Sequence, residues 1–104
     1  MVYKQINDIK SLRRGLEKSK LVVVKIYSNT CHPCQVYGPK YKNLAKKYPL
    51  IDFFDVEVGS NITKYLEKSI EGVPSTFIIT NNKILTSIVG GDIVELDSKL
   101  EHLL

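Results

Sequence analysis

The 104-residue chain has no tryptophan, one methionine and only two cysteines. Two cysteines exclude a disulfide-dense scaffold, and six glycines with four prolines exclude a collagen-like repeat. Long apolar runs are missing too. The longest, Leu21 to Val24, falls far short of the ~20 residues that cross a bilayer. The amino-terminal MVYKQINDIK holds no apolar stretch long enough for a secretory signal, so the expected compartment is the cytoplasm. Charge of one sign is scarce as well, with 15 basic against 11 acidic residues and a net charge of +4. The densest basic group, Lys40, Lys42, Lys46 and Lys47, falls on one predicted helix and reads as a solvated face. A nucleic-acid binder gathers its cations into a stripe with aromatic neighbours, which is not seen here. Neither nucleic acid nor membrane is expected as a partner.

What remains is an ordinary globule, 43% hydrophobic and 25% charged, read as a single domain over 1–104 with one core. Val2 to Gln5 suits a short strand. Asn7 or Asp8 can cap a helix carrying Ile9, Leu12 and Leu16 at helical spacing and ending near Ser19. The run LVVVKIYS is apolar on both faces except for Lys25, as a central strand covered on both sides would be. A helix follows from about Cys34 to Tyr48, with Pro39 expected to bend it and Pro49 to end it. IDFFDVEV makes a third strand, and ITKYLEKS, residues 62–69, a short helix capped by Ser60 or Asn61. STFIIT and KILTSIV form a hairpin turning at Asn81-Asn82. After Gly90-Gly91, Asp92 and Glu95 resemble a capping box for a helix with Ile93, Leu96, Leu100 and Leu103 on one face. The order β-α-β-α-β-α-β-β-α predicts an α/β fold. Its mixed, mostly parallel central sheet has helices on both faces, and the terminal hairpin adds antiparallel edge strands.

The cysteines stand as Cys31-His32-Pro33-Cys34, where the buried strand hands over to a helix. In a reducing cytoplasm such a pair points to chemistry or metal rather than to a permanent staple. A structural zinc site needs four ligands. The chain's histidines are His32, inside the pair, and His102, near the far end, so no second half is available and no metal is expected. Unpaired N–H groups and the helix dipole favour an anion at a helix N-terminus, and a thiolate is one. Cys31 is therefore the expected nucleophile, with a lowered pKa, and Cys34 the resolving thiol. His32 adds positive charge when protonated, and Pro33 restricts the turn.

Together with that element order, four features make the chain resemble the thioredoxin family along its whole length. They are the Cys31–Cys34 motif, Pro39 within the following helix, the Val73-Pro74-Ser75-Thr76-Phe77 segment and Gly90. The resemblance implies a thioredoxin fold and a thiol–disulfide oxidoreductase. It implies a cis peptide before Pro74, opposite the dithiol. It also implies a substrate groove of Thr30, Val73, Pro74 and Gly90, in which the Val73 main chain pairs with an extended segment. No organic cofactor or metal is needed beyond the redox-active pair. The expected partners are protein disulfides and, as electron source, a thioredoxin reductase or a small thiol; the protein is expected to be a monomer.

Four positions depart from the family pattern. Thr30 replaces the usual tryptophan before the first cysteine, and His32 the usual glycine after it. Six residues before Cys31, where the family buries an acid that handles the resolving cysteine's proton, stands Lys25. Where its lysine partner is usual stands Asp55. Acid and base have changed places. A lone buried charge is costly, so Lys25 and Asp55 are expected to pair beneath the dithiol, with Asp55 taking the Cys34 proton. The opposing expectation is a snorkelling Lys25 and a solvated Asp55. Two further functions remain open at this level. One is a thioredoxin-fold binding module without turnover, which an insulin-reduction assay distinguishes. The other is a glutathione-dependent, glutaredoxin-like reductase.

Overall fold

The computed structural model describes residues 3–18, 20–66 and 70–104. Its elements follow the expected order: β1 (Tyr3–Gln5), α1 (Ile9–Lys18), β2 (Leu21–Tyr27), α2 (His32–Lys47), β3 (Asp52–Glu57), α3 (Asn61–Leu66), β4 (Ser75–Thr80), β5 (Lys83–Val89) and α4 (Ile93–Leu103). Val2, Ser19 and residues 67–69, which the sequence reading included in elements or their ends, lie outside the described residues.

The strands form one sheet in the order β1-β3-β2-β4-β5. β3 pairs in parallel with β1 and with β2, whereas β4 pairs antiparallel with β2 and with β5. The sheet is thus mixed, with only β4 running against the other four strands, and of the hairpin only β5 is an edge. The hairpin turns where expected, on Asn81 and Asn82, with φ of 53° and 62°.

Side chains alternate across the sheet, which divides the core in two. Val22, Val24 and Ile26 of β2 pack with Phe54, Val56, Phe77 and Ile79 beneath Leu12 of α1 and Ile62 and Leu66 of α3. Val23 packs with Phe53, Ile78 and Ile88 beneath Tyr37, Tyr41 and Leu44 of α2 and Leu96 and Leu100 of α4. The same alternation sends Lys25 and Asp55 to the α2 face.

Several boundaries differ from expectation for local reasons. α2 begins at His32, which makes Cys31 its N-cap and puts Pro33 in the first turn, where a missing N–H costs no helical bond. It ends one residue early, with the Tyr48 N–H turned back to the Ala45 carbonyl. Pro39 sits inside this helix with no N–H to give the Gln35 carbonyl. Asp8 caps α1 through the Ser11 N–H at 2.8 Å, and Asp92 caps α4 through the Glu95 N–H at 3.0 Å. At α3 no side-chain cap is seen among the described residues. The Ser60 carbonyl accepts from Thr63, while the Ser60 hydroxyl is buried without a partner among the described residues. On α4, Leu96 and Leu100 are fully buried and Ile93 partly so, but Leu103 is exposed.

Candidate active site

Two elements meet at the site: the start of α2 and the end of β2. The chain leaves the sheet at Tyr27, and the Cys31 N–H bonds to the Ser28 carbonyl as the turn closes. Cys31, in extended conformation, then caps α2. Cys31 and Cys34 are joined by a disulfide with their Cα atoms 5.2 Å apart. The Cys34 N–H points at the Cys31 sulfur, 3.2 Å away. A group with negative charge on that sulfur meets an unpaired helical N–H and the positive end of the dipole. Cys31 is half-buried, whereas Cys34 sits under the helix at 5% exposure.

Opposite the pair runs the segment before β4. The Val73–Pro74 peptide is cis, and the Val73 carbonyl oxygen lies 3.6 Å from the Cys31 sulfur. The Gly90 N–H holds the Pro74 carbonyl at 2.8 Å. Gly90 adopts φ of 93°, a left-handed geometry that favours glycine. Val73, Pro74, Gly90 and the dithiol are therefore brought together. Thr30 is exposed, its hydroxyl 3.0 Å from that of Ser28, and His32 and Pro33 are exposed at the start of α2.

Beneath the dithiol lies a charged layer. Lys25 and Asp55 are register partners on β2 and β3, only 3% and 8% exposed, with Nζ and Oδ1 3.3 Å apart. Lys25 does not snorkel to the surface, and Asp55 is not a solvated surface group. The ammonium also stands over the Tyr41 ring at 4.7 Å and near those of Tyr27 and Tyr37 at 5.6 and 5.9 Å. Gly38 of α2 lies beside it; a Cβ there would stand 3.7 Å from Nζ, an ordinary contact. The second carboxylate oxygen, Oδ2, accepts the hydroxyl of Tyr3 from β1. Asp55 Oδ1 has no hydrogen-bond donor among the described residues beyond its contact with Lys25. A cavity of about 320 Å³ opens between Cys34, Gln35, Tyr27, Ser28, Lys25 and Asp55. Thiol and carboxylate thus line one polar space, roomy enough for water.

The tyrosines around this layer are held as neutral donors. Burial, then the hydrogen bond to Asp55, pushes the Tyr3 hydroxyl above the usual phenol range. Burial likewise raises Tyr41 well above that range and Tyr37 to about 12. Tyr37 shares a hydrogen bond with Thr76 at 2.8 Å, and Tyr41 donates to the Phe54 carbonyl at 2.8 Å. None of these tyrosines stood out in the sequence. Tyr37 and Tyr41 were detectable as an i, i+4 pair facing a buried lysine. Tyr3 had no local signal, because its place follows from the pairing of β1 with β3.

Among the described residues no group of three or more His, Cys, Asp or Glu side chains comes together to hold a metal ion. His102 is exposed on α4, its Nδ1 2.9 Å from the Ser98 carbonyl.

The family model described as Thioredoxin matches residues 5–102. Thioredoxin H-type 1 of Nicotiana tabacum is 33% identical over 88 residues, covering 85% of this chain and 70% of that protein. Thioredoxin-1 of Schizosaccharomyces pombe is 26% identical over 98 residues, covering 94% and 95%. Among solved structures, a reduced Schistosoma mansoni thioredoxin pre-protein superposes over 100% of both chains with a TM-score of 0.87 at 25% identity. Thioredoxin f2, in complex with ferredoxin:thioredoxin reductase, covers 97% of this chain and 94% of its own, with a TM-score of 0.85 at 24% identity.

Proposed function

This chain belongs to the thioredoxin family, and from that premise we propose how its residues divide the work of a protein-disulfide reductase. Its activity is that of a thiol–disulfide oxidoreductase of the thioredoxin type, carried by the Cys31–Cys34 pair. One observation carries the division of roles. Cys31 is half-open at the N-terminus of α2 beside the Val73 carbonyl, while Cys34 is buried behind it.

Cys31 is the nucleophile. Its thiolate attacks one sulfur of a substrate disulfide, forming a Cys31–substrate bond and releasing the other sulfur as a thiolate. Cys34 then loses its proton to Asp55 through the shared cavity, with Lys25 paired to the carboxylate. The Cys34 thiolate attacks the Cys31 sulfur and displaces the second substrate thiolate. Two electrons have moved: the substrate disulfide is now two thiols, and Cys31–Cys34 is oxidised. No cofactor or metal takes part in these steps.

Val73, Pro74, Gly90 and Thr30 form the substrate groove, where backbone pairing gives broad recognition. His32 and Pro33 tune the couple. A cation beside the thiolate stabilises the reduced form, so the potential lies above the roughly −270 mV of thioredoxin. Family members work with thioredoxin reductases, and the reductase complex of thioredoxin f2 supports a reductase here, with a small thiol as the other electron source. We place the protein in the cytoplasm, as a single-domain monomer in electron transport to protein disulfides.

Insulin reduction with dithiothreitol tests this reading. Wild type accelerates insulin precipitation, Cys31→Ser abolishes the effect, and Cys34→Ser accumulates a Cys31-linked mixed disulfide. A wild-type trace equal to dithiothreitol alone identifies a binding module instead.

A further inference from the structure

Asp55 is held from two sides, and only Lys25 on β2 belongs to the exchanged pair of charges. The other hold comes from the edge strand β1, which pairs with β3 so that Tyr3 stands in register with Phe53. Phe53 and Asp55 share a face of β3, and the Tyr3 ring packs edge-on to Tyr41 at 6.0 Å, bringing its hydroxyl to Asp55 Oδ2. That leaves Oδ1, 3.3 Å from the Lys25 ammonium, as the oxygen with no hydrogen-bond donor among the described residues.

We propose that Tyr3 is a positioning residue for the second thiol-exchange step: its hydroxyl fixes Oδ2, so that Oδ1 receives the Cys34 proton. The inference rests on the reading of Asp55 as proton acceptor. Burial and the Asp55 bond keep the Tyr3 proton on oxygen, so the hydroxyl is a permanent donor to the carboxylate. The titratable and charged groups facing Asp55 are Tyr3 from β1, Lys25 and Tyr27 from β2, and Cys34, Tyr37 and Tyr41 from α2. Glu57 acts on Tyr27, and Asp92 of the α4 cap on Tyr37. Burial raises each of these tyrosines, so none titrates at the pH of the assay.

Reaction of the reduced protein with Ellman's reagent separates the two steps. Cys31 attack releases a first thionitrobenzoate, and resolution by Cys34 releases a second. The rate of the second phase is followed against pH for wild type, Tyr3→Phe, Asp55→Asn and the double variant, with folding checked by thermal unfolding. Tyr3→Phe removes one donor to the carboxylate, so the second phase slows about tenfold. In the Asp55→Asn background the same exchange changes the second phase by less than about twofold, because there is no carboxylate to hold. A role in packing alone slows both backgrounds equally. If Asp55→Asn itself leaves the second phase unchanged, the reading of Asp55 fails, and the role of Tyr3 with it. If Asp55→Asn slows that phase but the Tyr3→Phe profile superimposes on wild type, only the role of Tyr3 is overturned.

Discussion

Removing one charge from the Lys25–Asp55 pair is the most informative perturbation of this fold. Lys25→Met keeps the stem and deletes the ammonium, leaving the Asp55 carboxylate, 8% exposed, with the Tyr3 hydroxyl on one oxygen and, among the described residues, no donor on the other. Breaking a buried pair in this way costs about 3–5 kcal/mol, a large part of the ~5–15 kcal/mol that holds a small domain together. Asp55→Asn strands the ammonium instead. Lys25 then keeps the rings of Tyr41, Tyr27 and Tyr37, and a desolvated cation–π contact recovers up to about 2 kcal/mol. Its loss should therefore sit at the lower end of the range. The double variant Lys25→Met/Asp55→Asn buries no charge and still offers Tyr3 an amide oxygen. It should return to within about 1–2 kcal/mol of wild type, since a neutral replacement of a buried pair is often close to neutral. Urea unfolding of the oxidised proteins measures all four stabilities. Single losses below about 1 kcal/mol that add in the double variant describe a solvated pair and would refute the buried charged layer.

Three other outcomes follow from local geometry. Gly15→Ala in α1 should destabilise by about 1–3 kcal/mol despite alanine's better helix propensity. The new Cβ would stand 2.5 Å from Cε2 of the buried Phe54 ring, and an unchanged urea midpoint would contradict that packing. Asp97 is held below the ordinary carboxylate range, first by the Tyr48 hydroxyl and then by Lys47. A depressed folded-state value contributes stability above the unfolded carboxylate range and loses it as pH falls through the folded one. The gap between wild type and Asp97→Asn should therefore be open at neutral pH and close on acidification; a gap that widens in acid reverses the sign. His32→Gly should lower the reduction potential of the couple in a glutathione titration, and a rise would remove His32 from redox tuning.

The element order, the hairpin at Asn81-Asn82 and the dithiol at a strand-to-helix junction were all legible because each has a local signal: periodicity, turn residues or spacing. The Lys25–Asp55 pair was legible for a different reason, since a charge in the run LVVVKIY has to be compensated. Strand order was less so. The hairpin's β4 lies inside the sheet against β2, a long-range pairing on which the sequence around Ser75–Thr80 is silent. The third side of the charged layer was hidden for the same reason, because Tyr3 meets Asp55 only through the parallel pairing of β1 with β3. At α3, Ser60 and Asn61 have cap-forming side chains, yet a backbone carbonyl made the cap.

The central claim is that the amide groups at the start of α2 keep the Cys31 sulfur ionised when the pair is reduced. Iodoacetamide alkylation of the reduced Cys34→Ser variant across a pH series tests it directly. Cys31 should stay fast well below pH ~8.5, the ordinary range of a thiol. A rate that rises only through that alkaline range, as for free cysteine, contradicts it.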